Sequence, residues 1–306
     1  MTETAAVQTL LDGGAGSRIR LLTYAPQAEP RGIVQVLHGL GEHADRYVRF
    51  AHAANAQGLV VYIHDHRGHG PLSDTPGYFG AKGSWQYLID DALVVQRHAQ
   101  KQHPGLPPVL LGHSMGSYIA QHFAIQHGAR LSALLLSASN WPSRAQLVAG
   151  NLLAREECLR LGERTHSPLL DKLGFGAFNK RFEPARTQLD WLSRDEDEVD
   201  RYISDPLCGG PFTTGLWREL TGGLLKVAND GELIRIPAEL PILITGGAED
   251  PGGGDKGMGK LALHYAQTGH QRLKVNIYPG ARHEMLNETN RDEATADWLA
   301  WIEQQL

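Results

Sequence analysis

Short runs of branched and aliphatic residues recur along this chain, separated by longer stretches whose apolar residues fall three or four positions apart. The short runs cover residues 33–38, 59–63, 108–111, 133–136, 242–245 and 273–278. The longer ones cover 47–57, 85–102, 117–127 and 260–267; in the second of these Leu88, Ala92, Val95 and Ala99 share one helix face. Strands that alternate with helices need right-handed crossovers, and those produce a parallel sheet covered on both faces. Residues 18–24 alternate in polarity, and with residues 7–11 and a turn at Gly13-Gly14 they predict an antiparallel hairpin at one edge. The expectation is an α/β fold with a mostly parallel eight-stranded sheet flanked by helices.

The alternation stops after Asn140 and resumes near Pro241. About a hundred residues is too long for a loop in a compact domain, so this span predicts an inserted helical cap. The expected division is a core of residues 1–140 and 229–306, with the insertion at 141–228. A chain of 306 residues, 42% of them hydrophobic, buries enough surface to fold without disulfides or a structural metal. Cys158 and Cys208 lack CxxC or zinc-type spacing and are expected as unlinked thiols. The net charge of −5 argues against a nucleic-acid partner. No window approaches the roughly 18 apolar residues of a membrane span, and residues 1–6 lack the basic and apolar segments of a signal peptide. A soluble cytoplasmic protein is expected, with no integral membrane contact; peripheral lipid contact through the cap is compatible with the composition, and the oligomeric state is not encoded legibly.

Gly112-His113-Ser114-Met115-Gly116 stands where the third parallel strand ends and a helix begins. Glycines there let the backbone turn sharply enough to expose the serine hydroxyl, while the helix N-terminus offers free amides to a developing negative charge. A serine needs an adjacent base. His283 follows the last strand, on the loop leading to the terminal helix, where reactive groups of a parallel sheet gather. His264 and His270, within or just after a helix, suit surface roles, and the side chain of His113 should point away from that of Ser114. A carboxylate should orient the base; Asp250, after the strand at 242–245, is the expected acid, with Glu249 the alternative. The order Ser114, Asp250, His283 is that of a hydrolase of this sheet type. Met115 and Leu40 are expected to donate their amides to an oxyanion, with Gly39 and His113 contacting substrate.

Other motifs read as structure. His64-Asp65-His66-Arg67-Gly68-His69-Gly70 imitates a metal cluster, but a histidine-rich loop here can brace the site. His283-Glu284 begins H-E-x-x-H, yet Asn287 stands where the second histidine is required. The segment from Gly254 to Leu261 nearly spells a phosphate-binding loop, but Leu261 replaces its Ser or Thr. Residues 195–198, Asp-Glu-Asp-Glu, suit a solvated helix face. No metal and no cofactor is expected.

The chain resembles the α/β-hydrolases, specifically their monoacylglycerol lipase and lysophospholipase branch, also called the serine aminopeptidase family. The resembling segments are His38-Gly-Leu-Gly-Glu-His-Ala-Asp-Arg-Tyr47, Asp65-His-Arg-Gly-His-Gly70, Gly112-His-Ser-Met-Gly116, Leu192-Ser-Arg-Asp195, Ser204-Asp-Pro-Leu207 and Tyr278-Pro-Gly-Ala-Arg-His-Glu284. The resemblance implies a mobile helical cap over an acyl-binding tunnel, an acyl-enzyme on Ser114, and the same assignments for Asp250, His283, Leu40 and Met115. One departure is Pro251-Gly252-Gly253-Gly254, where family members carry a valine- or isoleucine-containing turn; it bears on the shape of the pocket mouth.

The expected function is hydrolysis of small-molecule carboxylic esters, monoacylglycerol-like or lysophospholipid-like. Leu147, Val148, Leu152, Leu153, Phe175, Phe178 and Trp217 are candidates for acyl binding. An aminopeptidase or amidase would use the same triad with a carboxylate such as Glu156, Glu157 or Asp205 holding the substrate ammonium. A catalytically silent binding protein on this scaffold is the alternative of another class.

Overall fold

The apolar runs become strands of one eight-stranded sheet in the computed structural model, which describes residues 5–306. Most of the segment on which the signal-peptide expectation rests, residues 1–4, lies outside the described residues. The strands are β1 (Val7–Asp12), β2 (Arg18–Tyr24), β3 (Gly32–Leu37), β4 (Leu59–His64), β5 (Pro108–His113), β6 (Ala133–Ser137), β7 (Ile242–Gly247) and β8 (Leu273–Tyr278). Their spatial order is β1-β2-β4-β3-β5-β6-β7-β8. β1 and β2 form the antiparallel edge, and every pairing from β4 to β8 is parallel.

Ten α-helices complete the described chain: α1 (Val48–Ala56), α2 (Trp85–Gln102), α3 (Met115–His127), α4 (Arg144–Leu161), α5 (Pro168–Phe175), α6 (Glu196–Ser204), α7 (Thr214–Val227), α8 (Asp230–Leu233), α9 (Gly254–Gln267) and α10 (Arg291–Glu303). Successive strand residues point to opposite faces, so β5 sends Leu110 to one core and Val109 and Leu111 to the other. Phe50 of α1 and Trp298 of α10 seal the second core, while Ile89 of α2, Phe123 of α3 and Tyr265 of α9 seal the first. The edge strand β8 departs from the expectation of burial on both faces: with one strand neighbour, it leaves Lys274 and Val275 exposed. α9 begins at Gly254, six positions before the expected start, because Gly257 and Met258 pack into the core and tertiary burial outweighs the poor helix propensity of glycine.

Helices α4 to α8 lie between β6 and β7, and α4 packs along α7. This insertion is fastened to the sheet layer at Trp85: a side chain on Gly223 of α7 would collide with the indole, and Glu219 accepts the amides of Gly83 and Trp85. Asp195 caps α6 and pairs with Arg291. Glu196 and Asp197 face solvent as their charge predicts, whereas Glu198 departs from that expectation, buried and salt-bridged to Arg49 and Arg201. Cys158 and Cys208 are both free thiols. Among the described residues no helix is long and apolar enough to cross a membrane.

The tightest joint in the sheet layer is between α3 and β3. A Cβ on Gly116 would sit 2.0 Å from the carbonyl oxygen of Leu37 and 2.6 Å from that of His38. Neither is a movable side-chain end, so Gly116→Ala should destabilise the fold by about 2 kcal/mol or more. Urea denaturation checks this, and an unchanged midpoint would contradict the packing described.

Candidate active site

β5 ends at His113 and α3 starts at Met115, leaving Ser114 alone to reverse the chain at φ 51°, ψ −119°. Such a conformation costs a non-glycine residue about 1–3 kcal/mol. The surroundings enforce it: a Cβ on Gly112 would lie 2.3 Å from Gly116 O, and the Ser114 amide donates to Ser137 O at 2.9 Å. The strain predicts that Ser114→Gly is more stable than Ser114→Ala by about 1 kcal/mol, read from paired thermal melts. Equal melting would mean the turn is relaxed.

Three side chains from distant segments converge on this turn. Ser114 Oγ lies 2.9 Å from His283 Nε2, and His283 Nδ1 lies 2.9 Å from Asp250 Oδ1. Ser114 belongs to the β5–α3 turn, Asp250 to the loop after β7, and His283 to the loop after β8. Asp250 is fixed by the amide of Gly252 at 2.8 Å. The alternative acid, Glu249, turns to the surface and pairs with Arg181. Burial opposes protonation of His283, but the charge of Asp250 and its hydrogen bond outweigh that and raise its basicity above that of an ordinary histidine. In the neutral ring, Nδ1–H donates to Asp250 and Nε2 accepts the hydroxyl of Ser114.

The loop from His38 to His43 lies against the serine, since a Cβ on Gly39 would be 3.3 Å from Ser114 Cβ. Its backbone is held group by group. Gly39 N donates to Glu42 Oε1 at 2.5 Å, Gly41 N donates to His69 Nε2 at 3.1 Å, and Gly41 O accepts from Tyr202 Oη and Gly209 N, each at 2.7 Å. Among the described residues the amide of Leu40 is left without an acceptor. Met115, first residue of α3, likewise has no intrahelical acceptor for its amide. The histidine-rich loop supplies struts: His66 N donates to His38 Nε2 at 2.9 Å, and His69 accepts from Gly41. Burial keeps these two rings neutral, lowering His38 and pushing His69 down to about 3, so their bare Nε2 atoms can accept. His64, His66 and His69 do not gather ligand atoms into a cluster.

Above Ser114 is a cavity of about 120 Å³ walled by Phe175, Trp191, Leu192 and Phe212, with Glu42, Tyr202 and Glu284 at its polar part. Of the seven expected acyl-binding residues, Phe175 lines it. Phe178 meets Phe175 edge to face and Trp217 lies tilted against it, each with ring centroids 5.5 Å apart. Val148 and Leu152 face solvent, and Leu147 is buried within the helical layer. Gly39 and His113 also line the cavity, and the His113 ring sits 5.0 Å from that of His283 with Nδ1 on Ser137 Oγ at 3.3 Å. His264 stacks on Trp141, whereas His270 is buried, contrary to the expected surface role, because it closes the end of α9 against Tyr265.

Sequence reasoning did not single out Glu42, Arg46 and Glu284. Arg46 reaches Glu42 at 3.0 Å and clamps both oxygens of Glu284 at 2.7 Å, all three nearly buried. Burial opposes the charge on Glu42 and on Glu284, but Arg46 holds both carboxyls below their ordinary range. The spacing of Glu42 and Arg46, four apart, and the adjacency of Glu284 to His283 were the available signals.

A mostly parallel sheet with helices on both faces, a serine on its strand–helix turn and a carboxylate–imidazole pair on the loops after its last two strands define an enzyme of the α/β-hydrolase class. The model of the family described as serine aminopeptidase, S33, matches residues 28–290. The chain belongs to that family. It is 28% identical over 294 residues to the monoacylglycerol lipase of Mycolicibacterium smegmatis, covering 95% of this chain and 94% of that one. It is 29% identical over 266 residues to human monoglyceride lipase, covering 87% and 79%. A thermostable carboxyl esterase from Bacillus coagulans superposes with a TM-score of 0.90 at 30% identity, over 98% of this chain and 99% of that one.

The hydrogen-bond geometry predicts that His283 titrates above an ordinary histidine and that Asp250→Asn lowers it, because burial is then opposed only by the more distant charges of Glu284 and Glu42. Imidazole proton resonances followed against pH check this. A His283 midpoint that Asp250→Asn leaves in place would contradict the pairing.

Proposed function

We propose that this protein hydrolyses carboxylic esters of medium or long acyl chains, monoacylglycerol-like or lysophospholipid-like, through an acyl-enzyme on Ser114. The observation that carries the reading is the unbroken chain of contacts Ser114–His283–Asp250 beneath an aromatic cavity. The similarity to monoacylglycerol lipases and a carboxyl esterase agrees with it.

In this mechanism Ser114 Oγ attacks the ester carbonyl as its proton passes to His283 Nε2. Asp250 stabilises the imidazolium without taking its proton. The carbonyl oxygen, now an oxyanion, takes hydrogen bonds from the free amides of Leu40 and Met115; losing one such donor costs about 2.7–4 kcal/mol in comparable sites. His283 then returns the proton to the leaving alcohol. Water, deprotonated by the same ring, releases the acid and regenerates Ser114. Phe175, Trp191 and Phe212 offer the acyl chain an apolar wall, while Glu42, Tyr202 and Glu284 offer the alcohol hydrogen-bonding groups. Residues 141–228 serve as the cap, and residues 1–140 and 229–306 as the core.

The aminopeptidase reading is weaker on three particulars. Glu156 is exposed on α4, Glu157 is held by Ser167 and Arg160, and Asp205 by His43. None of these walls the cavity, and the two carboxylates that do are already paired with Arg46.

Ser114→Ala should lower kcat on a chromogenic acyl ester by about 10⁶-fold. Wild-type enzyme should cleave acyl esters in preference to aminoacyl-naphthylamides. Near-normal ester turnover by Ser114→Ala would refute the mechanism, and the reverse substrate preference would refute the ester assignment.

A further inference from the structure

Away from the triad, one constellation joins three kinds of metal-ligating side chain. His43 Nε2 lies 2.9 Å from Asp205 Oδ2, and these atoms and Cys208 Sγ all lie within 4.8 Å of one another. The three come from two segments that are 162 positions apart at His43 and Asp205, so no spacing rule applied to the sequence finds them. The other nitrogen of His43, Nδ1, is 3.0 Å from Asp45 Oδ2, and Arg20 grips both oxygens of Asp45 at 2.8 and 2.9 Å. A carboxylate placed behind an imidazole in this way fixes its tautomer and turns the opposite nitrogen toward a metal.

We propose that His43, Asp205 and Cys208 bind a divalent cation of the zinc class, with Asp45 as the orienting carboxylate. The ligand set suits a borderline-soft ion, since nitrogen, oxygen and thiolate sulfur are the donors zinc accepts. One thiolate and one carboxylate neutralise the dication. Metal–ligand distances of about 2.0–2.3 Å in a tetrahedral site put donors roughly 3.3–3.6 Å apart, so His43 and Asp205 have to separate by only roughly 0.4 Å. Asp205 is prepared for this: Oδ1 accepts the amide of Leu207 at 2.8 Å, leaving Oδ2 for the cation. Cys208 closes the same tight turn, its amide donating to Asp205 O at 3.1 Å. His43 is buried on the inner side, whereas Cys208 is half-buried and borders an open cavity of about 500 Å³ that gives the ion a route from solvent. Binding displaces the proton held between His43 and Asp205 and the thiol proton of Cys208, and a water fills the fourth position.

The position gives the site a consequence. His43 ends the loop that carries Leu40, and Cys208 precedes Gly209, whose amide already donates to Gly41 of that loop. A bound cation replaces the hydrogen bond between insertion and loop with coordinate bonds. The binding site stands on its own geometry and does not depend on the ester reading.

The test uses the untagged full chain after chelator treatment, titrated with Co²⁺ and then Zn²⁺. One equivalent of Co²⁺ should give a thiolate-to-cobalt charge-transfer band in the near ultraviolet, and Zn²⁺ should abolish it. Cys208→Ser should lose the band while Cys158→Ser keeps it, which identifies the sulfur because the chain has 2 cysteines. Asp205→Asn should weaken Zn²⁺ at least tenfold in competition with a chromophoric chelator. Absence of the band in the wild-type protein would overturn the proposal, as would a band that survives Cys208→Ser or Zn²⁺ affinity unchanged by Asp205→Asn.

Discussion

The backbone of α3 presses directly on the carbonyls at the end of β3, and the rest of the site follows from that contact. Gly116 allows it, since any side chain there would occupy the space of Leu37 O. With the helix so close to the sheet, the chain leaving β5 has one residue in which to turn, and that residue is Ser114 at positive φ. The turn raises the hydroxyl above the sheet and leaves the first amide of the helix pointing where a carbonyl oxygen can sit. Strain at Ser114 is therefore a product of core packing and is borne by the whole sheet layer.

Around this fixed point the polar groups are arranged by elimination. Glu42, His69, Tyr202 and Gly209 take up the hydrogen-bonding capacity of Gly39 and Gly41, so that the amide between them, that of Leu40, stays free. Burial makes this economical for the imidazoles, because a neutral ring accepts a hydrogen bond without the cost of a buried charge. At His283 the balance reverses: Asp250 overcomes burial and makes the ring a better base. The same side chain thus serves as a neutral strut in the scaffold and, in the proposed mechanism, as the base, with the neighbouring carboxylate deciding which.

Much of this was legible in the letters. Parallel strands announce themselves by continuous apolar runs, and the glycine–serine turn, Asp250 and His283 each follow such a run, so sheet topology alone brings them to one edge. The insertion was less legible. Its helices pack by contacts between distant residues, and periodicity cannot tell a leucine that lines a cavity from one that faces water, as Leu152 does. Charge misled in the same way at Glu198, buried through pairing with two arginines. The Glu42–Arg46–Glu284 cluster escaped notice because its members look like ordinary surface charges until the fold encloses them.

In the proposed mechanism Ser114 is the group that His283 activates. Treating the protein with a fluorophosphonate and mapping the adduct by peptide mass spectrometry tests this most directly. The mechanism requires one phosphonyl group per chain, on the peptide containing Ser114, and no labelling after His283→Ala. An unlabelled wild-type protein, or an adduct on a different serine, would contradict it.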